Sequence, residues 1–128
     1  MANLTAKIIG LVGGDDLEVR RTITNIPTGQ VLAQARFTVK LNEDDLDAAA
    51  IFQKSITSTL VASQGQITDT GANGTGVVSF FLQASDTVLM TPGSEYHYDI
   101  QVRLDNNRLY TPEKGRITTV RQITQSTT

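Results

Sequence analysis

The 128-residue sequence predicts an all-β protein built as a two-sheet sandwich of about seven to nine strands. Three observations predict it. Threonine is abundant, and valine and isoleucine recur in short runs that alternate with polar residues, the period of a half-buried strand. Turn residues break those runs at short intervals, as between sandwich strands. Two runs alternate cleanly. Ala33, Ala35, Phe37, Val39 and Leu41 share one face of residues 31–41, with Gln34, Arg36, Thr38 and Lys40 opposite. Tyr96, Tyr98, Ile100, Val102 and Leu104 share one face of residues 95–104, with His97, Asp99, Gln101 and Arg103 opposite.

The remaining elements follow in order. Residues 4–9 read as a first strand, and 13–16 (Gly-Gly-Asp-Asp) as a turn. Residues 17–24 make a second strand with Leu17, Val19, Arg21 and Ile23 on one face. Residues 25–29 turn the chain through Pro27 and Gly29. Residues 43–55 interrupt the pattern and predict a short helix or ordered loop. Asn42 is a candidate cap, and Glu43, Asp44, Asp45 and Asp47 suit a helix N-terminus. Residues 56–61 and 66–70 are short strands. The Asn73-Gly74 pair marks a hairpin into a strand over 77–83. Residues 85–90 form a link with room for one helical turn. After the strand over 95–104, residues 105–107 turn into a short strand over 108–111. Gly115 opens a last strand through Ile123. Residues 1–124 form one domain and 125–128 a polar tail, with no repeat and no long linker.

Composition narrows the function classes. There is no cysteine, hence no disulfide scaffold and no thiolate site. No apolar run approaches about 18 residues, so no transmembrane helix is expected. The first residues lack the apolar stretch and cleavage site of a signal peptide, which implies synthesis in a cytoplasm. Net charge is −2 but unevenly placed: residues 100–128 carry five basic and two acidic side chains, and residues 1–99 six basic and eleven acidic. Such asymmetry can orient a protein on a charged partner or on its own copies; it is also what solvated strand faces look like.

Candidate sites are few. His97 is the sole histidine; a zinc site needs three or four converging ligands, so a solvated or interfacial role fits better. Asp15-Asp16 and Asp44-Asp45 lack the alternating ligand loop of calcium sites and read as turn or helix-start acids. Gly71, Gly74 and Gly76 mimic a phosphate loop, but Val77-Val78-Ser79-Phe80-Phe81 after them is a strand and not the required helix. No Gly-x-Ser-x-Gly elbow occurs. A nucleic-acid face would need Arg103, Arg108, Arg116 and Arg121 aligned with aromatics, whereas Tyr96 and Tyr98 belong to the core and Tyr110 stands nearly alone. Phe37, Val39, Tyr96, Tyr98, Ile100 and Val102, with Phe80 or Phe81, are the expected core. No enzyme activity, cofactor or metal is expected.

Leu89, Pro92, Tyr96, Ile100 and Val102 are spaced like the corner of fibronectin type III and immunoglobulin-like domains, where a tyrosine bonds back to backbone a few residues upstream. Tyr96 would be that residue. Gly14-Asp15-Asp16, Tyr96 through Gln101, Thr111 with Gly115, and Ile123-Thr124 together resemble tailed-phage virion proteins with an immunoglobulin-like module, including the N-terminal domain of upper baseplate proteins. Residues 44–55 and 85–89 look like insertions of such modules. The resemblance implies an immunoglobulin-like sandwich and a structural role in the virion. Upper baseplate proteins continue past this module, whereas this sequence stops at Thr128, which favours a small accessory protein.

The expectation is therefore a capsid cement or decoration protein on the virion surface. It would bind the major capsid protein and its own copies, a trimer fitting three-fold positions. A baseplate, neck or tail adaptor is the alternative, and a carbohydrate-binding host-attachment module the third. No membrane or nucleic-acid partner is expected. Segments outside the regular sandwich would carry the contacts: Asn3, Leu4, Asp44, Asp45, Arg116, Arg121 and Ile123 are the candidates.

Overall fold

The computed structural model describes residues 3–12 and 15–120. Among them are eight strands: β1 (Asn3–Val12), β2 (Leu17–Ile23), β3 (Leu32–Lys40), β4 (Phe52–Ile56), β5 (Gly65–Asp69), β6 (Gly76–Leu82), β7 (Glu95–Leu104) and β8 (Leu109–Val120). They form a five-stranded sheet ordered β1-β8-β7-β3-β4 and a three-stranded sheet ordered β2-β6-β5. All pairs are antiparallel except β1 with β8.

Alternation explains the layers. Strand β7 buries Tyr96, Tyr98, Ile100, Val102 and Leu104 and leaves the residues between them half-buried. Strand β3 meets it with Ala35, Phe37 and Val39, and β6 faces both from the second sheet with Val78, Phe80 and Leu82. Phe37 is the centre of this core: its ring lies 5.3 Å from Tyr98, 5.5 Å from Phe80 and 6.4 Å from Phe52.

The strand order is that of a variable-type immunoglobulin-like sandwich. Strands β8-β7-β3-β4 occupy the places lettered G-F-C-C′ and β2-β6-β5 those lettered B-E-D. The expected tyrosine corner is present. The Tyr96 hydroxyl accepts a 2.6 Å hydrogen bond from the Thr91 amide, five residues upstream, and so pins the link between β6 and β7. Tyr96→Phe keeps the ring and deletes only this bond. It is expected to cost about 1 kcal/mol, read by denaturant titration against the parent.

Four sequence expectations need correction. First, β3 places Leu32, not Ala33, in the core, and Leu41 is 48% exposed. An irregularity between Leu32 and Gln34 shifts the register against β7, and the strand ends before Leu41. Second, the interruption near 43–55 is a loop with one 3-10 turn, Asp47–Ala49, while Phe52 to Ser55 already belong to β4. Asn42 does not cap it; the residue in that place is Leu46. Third, the strand expected over 56–61 ends at Ile56, and Val61 makes only an isolated bridge to Gly65. Fourth, the two strands expected over 108–111 and 115–123 are one, because a register shift opposite Ile100 and Val102 absorbs Pro112 without ending the ladder.

One buried lysine fastens the open edge. Lys54 on β4 donates to the Ser63 carbonyl at 2.9 Å and pairs with Asp86 at 2.5 Å. Asp86 also accepts from the Gln83 amide and so starts the single helical turn α1 (Ala84–Thr87). The loop over 57–64 and α1 are thereby tied to the same strand.

Candidate partner-binding surfaces

In an antibody domain, a disulfide joins the two sheets, and its second cysteine lies two residues after the corner tyrosine. Here that place is taken by Tyr98. Its hydroxyl donates to Glu113 Oε2, and Arg21 Nε donates to Glu113 Oε1 at 2.9 Å. Arg21 lies on β2 and the other two on β7 and β8, so the three side chains tie one sheet to the other without covalent chemistry. Burial, then the bond to Glu113, push the Tyr98 phenol far above its ordinary value, so it remains a neutral donor. The sequence pattern placed Arg21 on the inward face of β2. A cation inside an apolar stripe was the available signal, and Glu113 gave none.

This tie forms one end of a cleft of about 350 Å3 between the edges of the two sheets. Ile23, Ile26, Leu32, Val102 and Leu104 line it, with Tyr110 and Pro112 at its mouth. The first described pair between β1 and β8 is Asn3 opposite Glu113. Among the described residues, Leu109 and Tyr110 pair only with β7, opposite Arg103 and Val102, and no strand pairs the other backbone edge of residues 109–112. Leu109 is 58% and Tyr110 41% exposed beside that edge.

A second surface is polar. Lys40, His97 and Arg116 align across β3, β7 and β8 on the outer face of the larger sheet, and Thr38, Asp99 and Lys114 form the next row. The loop after β3 folds toward this face. Lys40 pairs with Asp47 at 2.9 Å, and Lys114 pairs with Glu43. A groove of about 390 Å3 remains between loop and sheet.

Asp99 lies at the base of that groove. Burial raises its carboxyl above the ordinary 3.8, against the pull of Lys40. A raised acid means that the folded state holds its proton more tightly than the unfolded state does. Stability from this group is thus present at low pH and is lost as pH rises from about 3.8 through the raised value. Asp99→Asn is expected to remove that loss, so the variant gains on the parent as pH rises through this window. Thermal denaturation at pH 3 to 7 on both proteins checks it, and parallel curves would contradict it.

The candidate contact residues are scattered. Asn3 and Leu4 fall on β1, paired along β8. Asp44 is exposed, but Asp45 Oδ2 accepts from the Asn42 amide at 3.1 Å and closes its own turn. Arg116 is exposed and lies 3.4 Å from Glu95. Arg121 and Ile123 lie outside the described residues, as does Gly14. The basic side chains do not align: Arg116 is opposite His97, whereas Arg103 sits six residues further along β7, bonded to Asn107. His97 is half-buried on the polar face.

Among the described residues no group of three or more His, Cys, Asp or Glu is placed to hold a metal, and no helix is long and apolar enough to cross a membrane. No family model matches the chain. No curated protein matches it either. Among solved structures, the NK cell receptor Nkp44, a triggering partner in natural cytotoxicity, aligns over 92% of this chain and 98% of that one, at 15% identity and a TM-score of 0.45.

Proposed function

We propose that this chain is a structural protein of a tailed-phage particle, a capsid cement or decoration protein that works by adhesion. The motifs around Tyr96–Gln101, Thr111 and Gly115 support the virion context. The observation that carries the adhesive mechanism is the apolar cleft beside the Leu109–Pro112 stretch of β8, whose outer edge no strand pairs among the described residues. An extended segment of the capsid subunit adds to Leu109–Pro112 by backbone hydrogen bonds, and an apolar side chain of it fills the cleft. Each contact is modest, but many identical contacts over a shell resist its internal pressure together.

The test is copy number and position in purified virions, by quantitative mass spectrometry and labelled electron microscopy. Hundreds of copies over the head are expected. A dozen or fewer at the tail or neck would replace this reading with the adaptor, and complete absence from virions would overturn both. Tyr110→Glu places a charge at the mouth of the cleft on an exposed side chain. It is expected to weaken capsid binding at least about tenfold while leaving the melting temperature unchanged. Full retention of binding would move the adhesive surface elsewhere, to residues 1–6, of which 3–6 are the start of β1, or to residues 122–128; truncation addresses both.

A further inference from the structure

The groove on the outer face takes no part in the adhesive mechanism, and its chemistry is specific. Its charges balance: Lys40 and Lys114 face Asp99 and Glu43. Its hydrogen-bonding capacity is not used up. Asp99 is half-buried, yet its carboxylate accepts no hydrogen bond among the described residues. Lys40 Nζ commits two of its three protons, to the Asp45 carbonyl at 2.7 Å and to Asp47 at 2.9 Å, and keeps the third. Thr38 Oγ1 accepts from Gln53 at 2.8 Å and still has its own proton to give. His97 offers one donor and one acceptor while neutral.

These features select among ligands. A phosphate or sulfate would meet the carboxylates of Asp99 and Glu43. A cation would meet two ammonium groups. A neutral molecule with several hydroxyls satisfies every group at once, because each hydroxyl both donates and accepts. The volume, about 390 Å3, falls in the range of roughly 300–1,000 Å3 in which small ligands are held. We infer that this groove binds a neutral saccharide residue, with Asp99 accepting from adjacent ring hydroxyls and Lys40, His97 and Thr38 completing the contacts. The loop carrying Glu43 and Asp47 forms the wall that shapes the site. Apart from the buried Tyr98, no phenyl, phenol or indole ring among the described residues lines the groove as a stacking platform, so a single residue is held weakly and repeated copies supply the avidity.

The experiment is an amide-shift titration of the isotopically labelled full chain with the methyl glycosides of glucose, galactose, mannose and N-acetylglucosamine. Inorganic phosphate and sialic acid are the charged controls. At least one neutral glycoside is expected to give saturable shifts confined to Thr38, Lys40, His97, Asp99 and Lys114. Asp99→Asn is expected to weaken that binding at least about tenfold while its melting temperature at neutral pH stays equal or rises. His97→Ala, at a position outside the core, is a second variant expected to weaken binding. No saturable shift with any neutral glycoside would overturn the inference. So would a stronger response to phosphate or sialic acid, or binding that survives both substitutions. Capsid binding is read separately and is expected to be unaffected by either variant, so failure here leaves the adhesive reading standing.

Discussion

Glu113→Ala is expected to destabilise the protein by about 3 kcal/mol, near the lower end of what breaking a buried ion pair costs. The substitution strands two groups at once: the Tyr98 hydroxyl, buried against Phe37, and the Arg21 guanidinium. The lower end applies because the Arg21 side chain is 34% exposed, so water reaches part of it once Glu113 is gone. The melting temperature should fall by about 10 °C. A triple variant, Arg21→Met with Tyr98→Phe and Glu113→Leu, removes every polar member together and is expected to recover most of the loss, since no unpaired group remains. Denaturant titrations of the single and triple variants check this. A single-variant loss below about 1 kcal/mol would mean that the three side chains do not tie the sheets.

Phe37→Ala carries the largest expected loss, about 4 kcal/mol. The side chain is 0% exposed and meets rings from β4, β6 and β7, so no single neighbour can move in to fill the space it leaves. Phe37→Leu keeps much of the volume and should lose about half as much. Because Phe37 stacks on Tyr98, its effect is not expected to add simply to that of Glu113→Ala; a double-mutant cycle on the pair measures their coupling.

The parts of this fold that could be read from sequence are those where burial imposes period two. The range of β7 was legible to the residue because its five inward side chains are all large and apolar, while the corner at Tyr96 was implied by the resemblance to immunoglobulin-like domains. Legibility failed where the ladder is irregular. The bulge at Leu32–Gln34 reversed which neighbour faces inward, and the shift near Pro112 joined two runs that looked separate. It failed again at isolated polar residues that meet only in three dimensions. Glu113 is 92 positions from Arg21 in the chain, and nothing local marks either as the other's partner. Lys54 fell in the segment expected to be a short helix or ordered loop, and its burial was not legible because its two acceptors, Ser63 O and Asp86, arrive from later elements. The outer groove was out of reach for the same reason: Asp99, Lys40 and Lys114 become neighbours only through the register of three strands.

The parallel pairing of β1 with β8 has a mechanical consequence. From Asn3 opposite Glu113 to Val12 opposite Val120, the first and last of the described strands run side by side in the same direction, so the start of β1 and the end of β8 lie at opposite ends of their shared ladder. A pull on those two ends drags the strands along each other. The load falls across their shared hydrogen bonds together and does not open them one by one, as it would in a hairpin peeled from its free ends. Forced unfolding is governed by the unfolding barrier and not by equilibrium stability. A module tethered through its two ends can thus be stiff under tension even where its free energy of folding is ordinary.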